Sequence, residues 1–105
     1  MIARVWRGIT HRESAAAYLA YLNTSVLPAV AGQPGQRGGW ALQRMQGEHA
    51  EFVVVTLWDS MDAITAWTGG DAGKSVYTAE EGQYLLDQEG LVRHYEVVGT
   101  VARTD

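Results

Sequence analysis

Phe52-Val-Val-Val-Thr-Leu-Trp58 is apolar at almost every position, so as a β-strand it turns hydrophobic side chains to both faces of its sheet. A sheet backed by helices on one side leaves the second face of such a strand in water. The 105 residues suffice for one domain and one core, which leaves no element to cover that face. The expectation is an α+β domain over residues 1–105 whose open face is covered by a second copy, a two-fold homodimer packed sheet on sheet.

The order of elements supports this. Ile2 to Ile9 alternates β-branched and aromatic residues with Arg4 and Arg7 and reads as a strand. Thr10-His-Arg-Glu13 matches a capping box. The helix it opens, with Ala15, Leu19, Leu22 and Val26 on one stripe beside Tyr18, is expected to stop at Pro28. Gly32 to Gly39 reads as a loop, followed by a strand from Trp40 to Met45, a hairpin connection over Gln46–Ala50 and a strand from Glu51 to Trp58. Asp59 or Ser60 caps a short helix that Gly69-Gly70 ends. A second capping box, Thr78-Ala-Glu-Glu81, predicts a helix through Tyr84, Leu85 and Gln88, and a last strand runs from Leu91 to about Val101. A ferredoxin-like sheet with helices on one face is the simplest arrangement.

Composition removes several function classes. Eight Lys and Arg against twelve Asp and Glu give a net charge of −4, and the positive residues are scattered, so nucleic acid is not an expected partner. No apolar run approaches the roughly 20 residues of a membrane helix. Arg4 and Arg7 interrupt the stretch where a secretion signal would be apolar. The expected location is the cytoplasm, with which the absence of Cys is consistent. No His-x-x-x-His, carboxylate pair or Ser-His-Asp spacing occurs, so no metal site is expected. Gly32–Gly39 precedes a strand, where a phosphate cradle needs a helix.

Four Trp and five Tyr are many for so short a chain. Trp58, Trp67 and Tyr77 recur at intervals that let three rings line one hollow between sheet and helices, suited to a flat apolar ligand; each ring taken singly reads better as a core residue, and it is the group that favours a pocket. His94 is the one histidine inside an expected strand and is either a general base or a structurally satisfied imidazole. Arg7 shares a mostly apolar face with Ala3, Val5 and Ile9. It either meets an anion there (Glu96, Asp62 or a ligand oxyanion) or reaches solvent at the strand end.

At Leu57-Trp-Asp-Ser-Met-Asp-Ala63 followed by Trp67, and at Pro34-Gly35 ahead of a strand, the sequence resembles the antibiotic biosynthesis monooxygenase family of dimeric α/β barrels. The resemblance implies a ferredoxin-like βαββαβ protomer, a homodimer with a joint barrel, and a pocket in each subunit. The family includes cofactor-free oxygenases of polycyclic phenols or quinones, with molecular oxygen as co-substrate, and haem-degrading enzymes. By this resemblance Trp58 is a pocket tryptophan of the first kind and Trp67 the one that presses on haem in the second. Val54 stands where the cofactor-free oxygenases carry Asn. Arg7 and Tyr77 stand where haem degraders carry an early-strand Asn and a His.

The expected function is cofactor-independent oxygenation of a polycyclic or phenolic substrate. His94 or Tyr77 would move the proton and Arg7 would steady the oxyanion, with Trp58, Trp67, Tyr84 and Val54 around the ring. Haem, with Tyr77 as phenolate ligand, is the lesser expectation. The missing Asn keeps a second one open: a non-oxidative binding protein, or a cyclase or isomerase on the same barrel.

Overall fold

The computed structural model of this chain describes residues 1–70, 73, 81–88 and 92–102. The five described strands form one antiparallel sheet. β1 (Ile2–His11) lies at its centre, paired along its whole length with β3 (His49–Trp58), which in turn pairs β2 (Gln36–Gln46). The other edge of β1 is shared by two short strands. β4 (Leu85–Gln88) takes the Gly8–Thr10 end and β5 (Arg93–Glu96) the Ile2–Val5 end. The order β2-β3-β1-β4, with β5 also on β1, is that of a ferredoxin-like sheet.

The hairpin between β2 and β3 is a two-residue turn, Gly47-Glu48, with Gly47 at φ 59°. β2 begins four residues earlier than expected, through a register shift between Gln36 and Gly39. Gly39 is obligatory there, because a Cβ would stand 2.2 Å from the Val55 carbonyl oxygen.

The long helical segment differs from expectation at both ends. Thr10 is a buried strand residue whose hydroxyl donates to the His11 carbonyl, 2.8 Å away, so it caps nothing. A 3₁₀ turn (Arg12–Ser14) leads instead into α1 (Ala15–Tyr21). Pro28 does not stop the helix. A π-helical turn (Leu22–Val26) has the Leu27 N–H reach the Leu22 carbonyl, five residues back, and the proline falls in the first turn of a new segment, α2 (Leu27–Ala31), where its missing N–H is not needed.

α3 (Met61–Thr68) is as expected. The Ser60 hydroxyl accepts from the Ala63 N–H at 3.2 Å, and Gly69 ends it at φ 84°.

Two corrections fall in the C-terminal third. Leu85–Gln88 is strand, not helix, because it pairs with the edge of β1; among the described residues a 3₁₀ turn (Glu81–Gln83) precedes it. The last strand, expected to run from Leu91 to about Val101, is regularly paired among the described residues over Arg93–Glu96 and ends well before Val101.

Alternation in β3 divides the sheet cleanly. Ala50, Phe52, Val54, Thr56 and Trp58 are buried beneath the helices. Phe52 and Val54 join Ala15, Tyr18 and Leu22 in one cluster, and Trp58 joins Val30 and Ile64 in another. The opposite face is open in the protomer. It carries half-buried Val53, Val55 and Leu57, with Trp40, Leu42 and Tyr95 at 58%, 51% and 53% exposure.

Candidate functional site

A cavity of about 170 Å³ separates the two core clusters. Its floor is the helix-side face of the sheet, where Arg4, Trp6, Val54 and Thr56 point inward. Tyr18, Tyr21 and Leu22 close one side from α1 and the π turn; Val30 and Trp67 close the other. Ser25, Val26, Ala29 and buried Glu81 complete the described lining. The walls are mostly apolar, with few polar groups, as small-molecule sites are.

Arg4 is the main electrostatic feature. It is buried, and its guanidinium lies over the Trp67 ring with Cζ 5.2 Å from the centroid. Trp67 is in turn stacked on fully buried Trp58, centroids 5.1 Å apart and planes 20° apart. Trp58 is held by its own indole N–H, which donates to the Thr56 hydroxyl at 2.8 Å. Desolvation pulls the Arg4 pKa down to about 10, which leaves it a cation at neutral pH.

His94, the direct cross-strand partner of Arg4, places Nε2 3.0 Å from Arg4 Nη1. A guanidinium only donates, so Nε2 is the unprotonated acceptor and the imidazole is neutral. Burial, and then the Arg4 charge, hold the His94 pKa below its ordinary 6.5. The folded protein thus binds this proton less readily than the unfolded chain. The stability His94 supports is complete above pH 6.5 and is lost as pH falls through the folded value. Urea midpoints at pH 7 and pH 5 should show this loss, and His94→Gln, whose amide oxygen still accepts from Arg4, should reduce it.

At the other end Tyr18 is wholly buried. It packs edge-on to Phe52 (4.9 Å) and lies 5.8 Å from Tyr84. Its hydroxyl has no hydrogen-bond partner among the described residues. Burial first, then Glu81 and Tyr21, raise its pKa far above the ordinary phenol range, so it stays protonated.

Of the residues singled out from the sequence, Val54 and Trp67 line the cavity and Trp58 supports Trp67 from behind. Tyr84 stands one ring back, against Tyr18 and Tyr21. His94 reaches the cavity through Arg4. Tyr77 lies outside the described residues. Arg7 is on the other face of the sheet, where it donates to Glu51, which also pairs with Arg44 at 3.1 Å. That hydrogen bond from Arg7, ahead of the smaller charge effects, holds the Glu51 carboxyl below the usual range. The oxyanion role foreseen for Arg7 therefore has no geometry to support it. Arg4, Tyr18, Tyr21 and Glu81 were not foreseen. Alternation puts Arg4 with Ile2 and Trp6 on the face opposite Arg7, Val5 and Ile9, which separates the two arginines but does not say which face the helices cover. Among the described residues no group of three His, Asp or Glu could hold a metal ion, and no helix is long and apolar enough to cross a membrane.

A family model described as antibiotic biosynthesis monooxygenase matches residues 1–79. No curated protein matches the chain. Among solved structures, a Bacillus cereus protein assigned to antibiotic biosynthesis monooxygenase aligns at TM-score 0.68 and 11% identity, over 97% of each chain. The haem-degrader MhuD of Mycobacterium tuberculosis, with two haems bound in its active site, aligns at TM-score 0.64 and 26% identity, over 97% of this chain and 100% of that one. A Deinococcus radiodurans protein of the same assignment as the first aligns at TM-score 0.64 and 16% identity over the whole of both chains. The first and third likenesses are of fold alone.

Proposed function

We propose that this chain, which belongs to the antibiotic biosynthesis monooxygenase family, is a cofactor-free oxygenase that takes a small phenolic or enolisable aromatic into the cavity and holds it as its anion. The observation that carries this reading is a buried guanidinium lying on an indole at the wall of an aromatic hollow. A cation so desolvated favours a ligand oxyanion, and flat rings suit the space between Trp67 and Tyr18. An apolar cavity of about 150 Å³ binds benzene, so this one, at about 170 Å³, is sized for one ring with more at its mouth. One- and two-ring substrates fit better than the polycyclic ones expected from the resemblance.

The chemistry needs no external reductant. An activated aryl CH₂ loses a proton, and its carbanion gives one electron to O₂. The radical pair combines to a peroxide, and loss of water leaves a C=O; one oxygen atom ends in the product and one in water. The protein's share is to move the proton, steady the oxyanion and exclude water. Metal-free protein incubated under ¹⁸O₂ with a panel of tetralone- and anthrone-type substrates tests it: label in the ketone supports the reading, and none across the panel ends it.

Arg4→Met should weaken binding of an anionic phenol about 100-fold, the worth of two charge-assisted hydrogen bonds, while a neutral arene binds as before. Quenching of Trp6 and Trp67 fluorescence, both at the cavity wall, reports this.

Val54 places a methyl-lined wall where the resembling oxygenases carry Asn, which favours as second reading a proton-transfer enzyme such as an isomerase or cyclase; unlabelled but converted substrate in the same assay identifies it. Haem fits the described residues poorly. No imidazole or thioether is among the described lining residues, and the buried Tyr18 phenol resists the ionisation a phenolate ligand needs.

The open apolar face of the sheet supports a two-fold dimer in which two such faces meet.

A further inference from the structure

Of the described polar residues lining the cavity, five cannot take a proton near neutrality. Arg4 is already a cation, and Tyr18, Tyr21, Ser25 and Thr56 offer only hydroxyls. The sixth is Glu81. It is a buried carboxylate at the start of a 3₁₀ turn, on the cavity wall, close enough to Tyr18 for its charge to act on that phenol. His94, the base foreseen from the sequence, is not among the lining residues, and its acceptor nitrogen is already engaged by Arg4.

We infer that Glu81 is the catalytic base of this site, and that the substrate is a carbon acid, an aryl-activated ketone whose conjugate base carries its charge on an oxygen held at Arg4. The inference rests on the aromatic-anion reading above and deepens it. In the step, the C–H bond breaks and its proton bonds to a Glu81 carboxylate oxygen. The C–H electron pair becomes the enolate C=C, and the carbonyl π pair moves onto oxygen. No oxidant enters, so the step is common to oxygenation and to isomerisation. A carboxylate at the wall of the cavity can take the proton directly from a carbon held against it. The neighbouring cation then stabilises the enolate oxygen as charge develops there.

The test uses 2-tetralone in D₂O without oxygen, followed by loss of the C1 proton signal in NMR. Wild-type protein is expected to accelerate deuterium exchange over buffer. Glu81→Gln should cut the protein-dependent rate by about 10²- to 10⁴-fold, the usual contribution of a positioned base, while tryptophan quenching by 2-tetralone stays within a few-fold of wild type. Glu81→Asp, which keeps the carboxylate at shorter reach, should retain part of the exchange. Exchange by Glu81→Gln at the wild-type rate would overturn the assignment and leave the aromatic-anion reading standing. Wild-type protein that binds 2-tetralone without exchanging it overturns the assignment as well, whereas absence of ¹⁸O label bears on oxygenation alone.

Discussion

Trp40→Asp is expected to split the proposed dimer into monomers, with the association constant falling by 10³-fold or more. Trp40 is the most exposed of the large apolar side chains described on the open sheet face, and its cross-strand neighbour is Val55. Burying an aromatic side chain is worth roughly 2–3 kcal/mol, and a buried unpaired carboxylate adds a further penalty. Two-fold symmetry enters each change twice, so the total passes about 4 kcal/mol, and each 1.4 kcal/mol is tenfold. Sedimentation velocity reads the result directly. Circular dichroism should be unchanged, because the helix-side core makes no use of Trp40. Wild-type protein sedimenting as a monomer would defeat the proposal before any variant is made.

Trp58→Ala is expected to cost about 3–5 kcal/mol of folding stability, the range for removing a fully buried large aromatic. Against a total of about 5–15 kcal/mol for a domain this is severe, and Tm should drop by more than about 10 °C. The indole fills the space between Val30 and Ile64, supports the Trp67 ring and bonds Thr56. Trp58→Phe should recover much of the stability while leaving the Thr56 hydroxyl without its donor. Denaturant melts of the three proteins separate packing from hydrogen bonding. If Trp58→Ala melts within a degree or two of wild type, the second core cluster has been misjudged.

What was legible beforehand follows from the range of the forces involved. Strands β1 and β3 are written in local alternation, and α3 in a Ser60 cap and a Gly69 stop, all within ten residues of chain. The misreading of Leu85–Gln88 has a non-local cause. Thr78-Ala-Glu-Glu81 carries a local helix signal, but the edge of β1 offers hydrogen bonds from residues almost eighty positions away, and no window centred on Leu85 contains them. In a regular helix Pro28 would end the segment, whereas after the π turn it falls in the first turn of α2, and nothing in the local spacing marks that turn. The site was half visible. Indoles announce a hollow by their number, yet which arginine enters it depends on which face of β1 the helices cover. Arg4 and Arg7 both sit among apolar neighbours, so alternation separates their faces without saying which one is roofed.

Two described segments of the sheet edge beside the cavity, β4 and β5, each of four residues, hold on to β1, with a register break in β1 between Ile9 and Thr10 under the first. β4 follows the turn that bears Glu81; β5 bears His94, which braces Arg4. The acidic and the cationic sides of the cavity are thus both moored to β1, whose own ladder with β3 runs without a break from Ile2 to His11.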